Sequence, residues 1–482
     1  MPDGQGSSTP WCFYGLNYTT TPPPFPPPAH AGSPFTSAQV STMFSYFLAN
    51  LNIQGLGGVV ASPDTTTPGG SYYYHWERDG ALSMHALQIV SNFTFFNPYM
   101  QSYVQWVLKV QNEADPNGID VRTEPKYNLP NGDVFTGGWC RPQTDGPGLR
   151  AIALIDYANS LMKNGQSNYI KQYLWTSNPN VYNGGAIKHD LDWIVSNWQQ
   201  NGCDLWEEVQ STDFFWNRFT MKHSLYLGSQ LAAKLGDSAT AQSYNNVANA
   251  INQTLIKHWN GEYIYESTNR PEDSAVILAF NNGYSNDGFL GPTDPRVTAT
   301  INTLNFVFYF AYPINLQDSA NGVPGIMYGR YPGDTYAGGN PWILSTASLA
   351  QLFYRGAGGI ITGNAIPAKE SHKDWEDIFS LVLNQTHPAH VLKTYTPLEF
   401  ARLVTSAGDA VLDRLYVHVQ AGNFHLAEQI DKNTGEEVSA TDLTWSYATV
   451  LKAMHYRNVA SASTLKMAPE LSADAFYEQV AW

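Results

Sequence analysis

Charged side chains are scarce in this 482-residue chain. Asp, Glu, Lys and Arg together make up 14% of the residues, whereas an ordinary soluble domain carries roughly 25%. The balance is acidic, with a formal net charge of −15, and the sequence contains no basic patch. Because a field of this sign repels polyanions and anionic lipid surfaces, neither nucleic acid nor a membrane is an expected partner.

Long apolar runs are also missing. No run reaches the ~18 residues that a membrane span needs, and the first residues, MPDGQGSS, lack the basic and apolar regions of a signal peptide. Secretion is nevertheless expected, with a vacuolar location as the alternative, because acceptor sequons for N-glycosylation occur four times. They begin at Asn17, Asn92, Asn252 and Asn384.

Cysteine is limited to Cys12, Cys140 and Cys203. The odd count leaves at least one thiol free or paired between chains, which argues against a disulfide-stapled scaffold. No Cys or His spacing suits a metal, and neither HExxH nor GxSxG occurs. The Gly-rich stretches GLGG and GAGG lack the lysine of a phosphate-binding loop. No metal and no cofactor is therefore expected.

The N-terminal segment differs in composition from the rest of the chain. Residues 1–36 form a Pro- and Ser-rich arm whose TPPPFPPPAH stretch favours polyproline II. We expect an extended terminal segment on the surface, and a linker to a further module is the alternative. No second linker follows, so residues 37–482 are predicted to be one domain.

The body of the chain is predicted to be all-α. Apolar residues recur at three- and four-residue spacing in SAQVSTMFSYFLANL, and no sustained alternating series competes with such stripes. Ser37 and Asn97 have the character of N-caps. Further helices are predicted at 80–91, 98–113, 147–163, 187–199, 214–235, 239–259, 294–308, 343–355, 397–420 and 442–457.

Chemistry-bearing residues concentrate in the segments between these helices. Loops such as SYYYHWERDG, TGGWCRPQTDGP, NGCDLWEEVQ and YGRYPGDTYAGGNPW combine Gly, Pro and aromatics with an acid, an Arg or a Trp. In an antiparallel helical toroid, connections alternate between two rims, so loops of one parity meet at a single mouth. A rigid scaffold that presents functional residues on loops is the usual arrangement.

Glu207 and Glu208 follow Trp206 in one of these loops. Adjacent residues point in different directions, so one carboxyl group can be buried while the other is solvated. Burial against a tryptophan raises the pKa of a carboxyl group, and a carboxylic acid that keeps its proton can protonate a leaving oxygen. The alternative is a pair of surface glutamates at a helix start.

Hydrolysis of a glycosidic bond requires a second carboxylate opposite the first. Glu428, in LAEQID, lies in a comparable loop, while Glu436 and Glu437 in TGEEV are rivals in a stretch typical of a solvated turn. The spacing along the chain does not choose among these three residues.

Three further charged residues lie in these loops. Arg78 and Asp79 in WERD offer a planar set of donors and a paired acceptor, which suits the vicinal hydroxyls of a sugar. Arg330 in GRYPGDTY has the same character. A structural ion pair is the alternative for each of them.

Five tryptophans also fall in these loops. An indole stacks on the apolar face of a sugar ring while its N–H reaches a hydroxyl group. A single tryptophan is more often part of a core, but a core role alone poorly explains five in one class of loop. They are Trp76, Trp139, Trp206, Trp342 and Trp445.

Taken together, the loops resemble those of the fungal and yeast glucoamylases of glycoside hydrolase family 15. The similarity runs from GGVVASPDTTTPGGSYYYHWERD through EPKYN, GGWCRPQTDGPGLRA, CDLWEEV and GRYPGDTYAGGNPW to AEQIDKNTGEEVSATDLTWSYA. It covers most of residues 55–456, with these six motifs in the same order.

The resemblance implies an (α/α)6 barrel with the site at one rim, and exo-hydrolysis of α-1,4-linked glucans that releases β-D-glucose with inversion. Glu207 falls on the family's general acid and Glu428 on its general base. Starch, glycogen or maltooligosaccharides are the implied substrates, and a monomer is expected. Residues that match the family's glucose-holding and lining positions are Tyr72, Arg78, Asp79, Trp139, Leu205, Trp206, Glu208, Arg330, Tyr336, Trp342 and Trp445.

The chain departs from the family's pattern at a few positions. Glu77 stands where Thr is usual, Cys140 where Gly is usual, Cys203 where Tyr is frequent, and Gly333 where Glu is common. Because Cys140 and Cys203 both flank the expected site, we hypothesise that they lie close together as a disulfide. Without a starch-binding module, action on raw granules should be weak.

An inverting mechanism carries two further expectations. The two carboxyl groups should stand roughly 6.5–9.5 Å apart, whereas ~5 Å would indicate retention. The pH optimum should be acidic, since Glu428 must be charged while Glu207 is neutral. An inverting enzyme that acts on trehalose, dextran or another α-glucan, and a carbohydrate-binding protein without catalysis, are the alternative functions.

Overall fold

The computed structural model describes residues 32–176 and 178–467, with backbone alone for 464–467. The predicted polyproline stretch, Cys12 and the sequon at Asn17 lie outside this part of the chain. The described residues form the helices α1 Ser37–Ala49, α2 Glu77–Val90, α3 Phe93–Val110, α4 Gly146–Lys163, α5 Ser167–Tyr169, α6 Ala186–Asn197, α7 Phe215–Lys234, α8 Ser238–Leu255, α9 Ala275–Gly283, α10 Pro295–Ala311, α11 Pro313–Ala320, α12 Ile343–Gly363, α13 His372–Leu383, α14 Ala389–Leu392, α15 Pro397–Val419 and α16 Thr444–Met467.

The strands are short and lie in the loops. They form three antiparallel pairs, in which Trp76 faces Lys126, Cys203 faces Gln210 and Gln429 faces Val438. Each pair shapes a connection on the way to a helix rather than building a sheet core. The strands are β1 Tyr74–Trp76, β2 Lys126–Asn128, β3 Gly202–Cys203, β4 Gln210–Ser211, β5 Gln429–Ile430 and β6 Glu437–Val438.

Six helices form a closed inner ring. Each of α2, α4, α7, α9, α12 and α16 contacts the next, and α16 closes the ring on α2. The helices α1, α3, α6, α8, α10 and α15 alternate with them along the chain, with α8 packed on α7 and α15 packed on α12. This arrangement is an (α/α)6 barrel, so the predicted fold class is confirmed.

Burial separates the two rings. All nine residues of α9 are buried, and α12 is buried along most of its length. An outer helix such as α8 buries only one stripe, Tyr244, Ala248, Ile251 and Leu255, which is the pattern of a helix with one face on a core and one in water.

The helix predictions from periodicity overlap all six outer helices and five of the six inner ones, and α9 is the inner helix that they miss. The sequence did not predict α9, because AVILAFNNG has no polar face to reveal the helical period. The predicted N-cap at Asn97 was wrong, since Asn92 caps α3 by accepting the N–H of Phe95. Thr36, rather than Ser37, caps α1.

The inner helices begin at one end of the barrel. Arg78 at the start of α2, Trp342 before α12 and Trp445 at the start of α16 line one cavity. Asp145, the N-cap of α4, accepts hydrogen bonds from Arg78 and from Trp216 at the start of α7. The connections that lead into the inner helices therefore meet at one mouth, as the alternation of rims predicts.

The predicted glycosylation sites differ in their exposure. Asn92 and Asn384 are exposed, whereas Asn252 lies within α8 with its Oδ1 enclosed. None of the helices in the described part of the chain is long and apolar enough to cross a bilayer.

A buried ion cluster joins α2, α4 and α6 behind the mouth. The fully buried guanidinium of Arg150 binds both carboxylate oxygens of Asp190, at 2.8 and 2.6 Å. A carboxylate oxygen of Glu77 lies 2.8 Å from Nη1 as an ion pair that lacks hydrogen-bond alignment. Glu77, where the family usually has Thr, thus serves the barrel wall and does not face the cavity.

Replacement of Arg150 by alanine should destabilise the fold strongly. Two buried carboxylates would lose their cation, and breaking such a pair costs about 3–5 kcal/mol. Urea unfolding followed by circular dichroism measures the loss. Arg296→Ala is the matched control, because Arg296 pairs with Asp294 at the surface and should lose less than about 1 kcal/mol. Equal losses in the two variants would contradict this account.

Candidate active site

An open cavity of about 240 Å³ lies at the mouth where the inner helices begin. All fourteen residues that the sequence and the resemblance singled out line it, although they come from six separate segments of the chain. They are Tyr72, Trp76, Arg78, Asp79, Trp139, Leu205, Trp206, Glu207, Glu208, Arg330, Tyr336, Trp342, Glu428 and Trp445, and Ala61, Gly69 and Leu443 complete the lining.

Chemistry rather than size distinguishes this cavity. A larger cavity of about 500 Å³ lies beside α1 and α16, and its lining includes no carboxylate. Another of about 550 Å³ includes Asp409 and Asp413, but neither an arginine nor a tryptophan. Across the described residues, no group of three or more His, Cys, Asp or Glu side chains is placed to hold a metal ion. The candidate site is therefore the smaller cavity, whose lining combines carboxylates, arginines and tryptophans.

Glu207 sits on a tight loop between β3 and β4. Its φ of 66° is left-handed, a conformation that costs a non-glycine residue energy and occurs preferentially at functional sites. Asp204 holds this loop, because its Oδ1 accepts the N–H groups of Glu208 and Val209 and its carbonyl accepts the N–H of Glu207. The motif DLWEEV thus supplies its own turn.

The carboxylate of Glu207 receives three donors. Arg78 Nη2 lies 2.7 Å and Gln143 Nε2 lies 2.8 Å from Oε1, and Trp139 Nε1 lies 2.7 Å from Oε2. The neighbouring Trp206 directs its own N–H at Asp273 instead. Glu207 retains limited access to the cavity, with 14% of its side chain exposed.

Glu428 occupies a different environment in the same cavity. Tyr72 donates to its Oε1 at 2.8 Å, and Ser439 and Gln429 donate to its Oε2. Burial raises the pKa of Glu428 above its ordinary value, and these hydrogen bonds oppose part of that rise. The backbone of Glu428 is fixed by two bonds, from its N–H to Ala440 and from Ile343 to its carbonyl.

The rival glutamates lie elsewhere. Glu436 is exposed on the turn between β5 and β6. Glu437 directs Oε1 at the N–H of Ala427, and burial raises its pKa to about 7. Neither residue lines the cavity.

Arg78 and Asp79 enter the cavity from the first turn of α2. Arg78 is held by Asp145, Gln143 and Glu207. Asp79 accepts no hydrogen bond from another described residue, and burial raises the pKa of its carboxyl group to about 7. Its two oxygens are thus available to partners that enter the cavity.

Arg330 and Glu208 form a second charged group in the lining of the cavity. Arg330 donates to both oxygens of Asp334, at 2.8 and 2.6 Å, and to Glu208 at 2.8 Å. Glu208 also accepts from Arg270 and from the hydroxyl of Tyr331. Arg330 thus forms structural ion pairs, the alternative predicted for it, and both Arg330 and Glu208 also line the cavity.

Two aromatic walls enclose the space between these groups. The ring of Tyr72 lies 5.5 Å from Trp76, which lies 5.8 Å from Trp139. Across the cavity, Trp342 contacts both Trp206 and Tyr336. The hydroxyl groups of Tyr72 and Tyr336 join the walls at 2.6 Å. The indole N–H of Trp342 is buried and has no hydrogen-bond partner within the described chain.

A disulfide between Cys140 and Cys203 links the two loops that hold Glu207. Cys140 follows Trp139, and Cys203 precedes Asp204, so the bond connects the indole donor with the turn that carries the carboxylate. The hypothesis that these two departures from the family's pattern form a disulfide is confirmed.

Several residues of the site were not predicted. Gln143, Asp145, Asp273 and Ser439 orient the lining residues from behind, and Lys126 is buried among the aromatic rings. Gln143 and Asp145 lie in RPQTDGP and Lys126 lies in EPKYN, two motifs that the resemblance had already marked. Their place within these motifs was the signal that could have identified them.

A barrel mouth that combines separate buried carboxylates, fixed cations and aromatic walls belongs to a carbohydrate-active hydrolase. The model of the family described as Glycosyl hydrolases family 15 matches residues 47–455. The chain belongs to this family and is a glycoside hydrolase.

Named relatives agree with this placement. A glucoamylase of Blastobotrys adeninivorans is 31% identical over 457 residues, which cover 88% of this chain and 71% of the relative. Glucoamylase-1 of Schizophyllum commune is 30% identical over 462 residues, 89% of this chain and 74% of the relative. The solved structure of Hormoconis resinae glucoamylase has a TM-score of 0.76 and 29% identity, and the match covers 87% of this chain and 73% of that one.

Loss of the disulfide should weaken the fold. The bond closes a loop with a sequence separation of 63 residues, for which the chain-entropy model gives about 4 kcal/mol. We expect Cys140→Ser/Cys203→Ser to lose up to that amount in urea unfolding. Cys12→Ser is the control, since it removes a thiol without breaking this bond. A double variant as stable as the wild type would contradict the expectation.

The buried Asp273 should make stability depend on pH. Burial raises its pKa from 3.8 to about 7, so the folded state keeps a proton that the unfolded state releases. This stabilisation is complete below about pH 4 and is lost as pH rises through 7.

Asp273→Asn keeps an acceptor for Trp206 but does not titrate. Its free energy of unfolding should fall less steeply between pH 5 and 7, by up to about 1.4 kcal/mol per pH unit. Urea unfolding across this range, with the exposed Glu436→Gln as control, tests this, and parallel wild-type and Asp273→Asn curves would refute it.

Proposed function

We propose that this glycoside hydrolase is a glucan 1,4-α-glucosidase that releases β-D-glucose from the non-reducing ends of α-1,4-linked glucans. Starch, glycogen and maltooligosaccharides are the proposed substrates. Relatives that carry the name glucoamylase over most of the chain support this reaction. We further propose a secreted monomer, for which the acidic, charge-poor surface and the exposed sequons are the support.

One observation carries the mechanism. Two carboxyl groups, Glu207 and Glu428, reach the same cavity from different loops, and each is fixed by its own set of donors. Two carboxyl groups in unlike environments suit a division into acid and base.

We assign Glu207 as the general acid and Glu428 as the general base. Glu207 gives its proton to the glycosidic oxygen as the bond from that oxygen to the anomeric carbon breaks. Glu428 takes a proton from a water molecule whose oxygen bonds to the anomeric carbon from the opposite face. The product is glucose of inverted configuration, and proton exchange with solvent restores Glu207 and Glu428.

The remaining lining residues suit the recognition of one terminal glucose. Asp79, with free carboxylate oxygens, is proposed to accept paired hydroxyl groups while Arg78 donates beside it. The aromatic walls would stack on the apolar faces of the ring, and Leu205 would line the same subsite.

Product analysis tests the reaction. With maltoheptaose, the wild type should release glucose whose β-anomer predominates in early spectra recorded by proton NMR. Glu207→Gln and Glu428→Gln should each lose about 10³-fold in kcat, since each removes a proton-transfer group, while binding of maltose stays measurable by calorimetry.

The exposed Glu436→Gln is the matched control and should keep wild-type kcat. Early α-anomer would reject inversion, and full activity in both cavity variants would reject the assigned roles. Rates on maltose, isomaltose and trehalose separate this activity from that of an inverting enzyme for another α-glucan. Because Glu428 must be ionised and Glu207 protonated, the rate profile should peak below neutral pH.

A further inference from the structure

Lys126 lies directly behind the candidate site. It belongs to β2, where it faces Trp76 of β1, and only 2% of its surface is exposed. Its ammonium group is enclosed by four aromatic rings whose centroids lie within 4.6 Å. The distances are 3.5 Å to Trp139, 4.0 Å to Phe135, 4.5 Å to Trp76 and 4.6 Å to Tyr74.

This cation has no anionic partner in contact. Within the described part of the chain, the ammonium group makes neither a salt bridge nor a hydrogen bond. Glu124, the nearby acid on the same side, is bound by Arg141 at 2.7 Å. Buried cations are normally paired, so an unpaired lysine surrounded by rings calls for another explanation.

Trp139 connects this cation to Glu207. Its ring face receives the ammonium group of Lys126, while its N–H donates to Glu207 Oε2 at 2.7 Å. A cation held over an indole face stabilises the ring's position, and the interaction strengthens when both partners are removed from water.

We propose that Lys126 is a positioning residue for the proton donor Glu207. Its cation fixes the Trp139 indole that binds the carboxylate, and its charge favours the anion that Glu207 becomes after it has given up its proton. This inference rests on the proposed function, in which Glu207 is the general acid.

The charges around both groups agree with this role. Burial, together with Arg141, lowers the pKa of Lys126 to about 8, while Glu207 and Glu124 act in the opposite direction. Lys126 is therefore still charged at acidic pH. Arg78 and Asp79 also face Glu207, and Glu208, Arg330 and Glu428 are further charged groups in the lining of the same cavity.

The test compares pH profiles of kcat and kcat/KM on maltoheptaose for wild type and Lys126→Met. Removal of the cation should lower kcat about tenfold, with a smaller change in KM. It should also move the basic limb of the profile to higher pH, because an acid without a nearby cation keeps its proton longer. Lys126→Arg should recover most of the kcat.

A matched control is Lys188→Met, which removes a lysine paired with Asp192 on an outer helix and should leave both profiles unchanged. Lys126→Gln provides a second neutral variant with the same expected effects in case Met at this position prevents folding. Circular dichroism shows which variants are folded.

Coupling to Trp139 is tested in a Trp139→Phe background. Phenylalanine keeps a ring but lacks the N–H, so Lys126→Met should lower kcat much less there than in the wild type. An unchanged profile in folded Lys126→Met and Lys126→Gln, or a full tenfold loss that persists with Trp139→Phe, would overturn the inference. A wild type that releases no glucose would instead overturn the proposed function.

Discussion

Closure of the inner ring is the constraint on which the site depends. The last inner helix, α16, packs on the first, α2, and the chain segments before them are joined directly. Thr444 donates its N–H to Ala61 and its hydroxyl to Val60, and Asn50 donates to the carbonyl of Asp442. Glu428 and Trp445 come from one end of the chain, whereas Tyr72 and Arg78 come from the other. The cavity forms only when these ends meet, and such non-local contacts slow folding.

Within the closed ring, the two central carboxyl groups are held in unlike ways. Glu207 accepts from a guanidinium, an amide and an indole. Glu428 accepts from two hydroxyl groups and an amide and forms no salt bridge among the described residues. The loops therefore hold two chemically similar side chains with different sets of donors in one cavity. Arg330 holds a third carboxylate of the cavity lining, that of Glu208, by a hydrogen bond.

The sequence predicted the lining of the cavity better than its support. Loop residues such as Trp76, Arg78 and Glu207 stood out because they combine unusual chemistry with loop positions, and the resemblance selected Glu428 over Glu436 and Glu437. A supporting group such as Asp273 carries no signal of its own, since its partner Trp206 is distant in sequence. The same holds for the fold, in which uniform burial left α9 without a helical stripe, and the expected start of α3 at residue 98 lay beyond the observed start at Phe93.

The link between Cys140 and Cys203 has a practical consequence. Thiols stay reduced in the cytosol of common bacterial hosts, where glutathione and thioredoxin prevent such bonds from persisting. Recombinant material made there would carry two unlinked loops around Glu207 and would differ from material that passes through an oxidising compartment. Expression in a periplasm or a secreting yeast is therefore the route to the covalently complete enzyme.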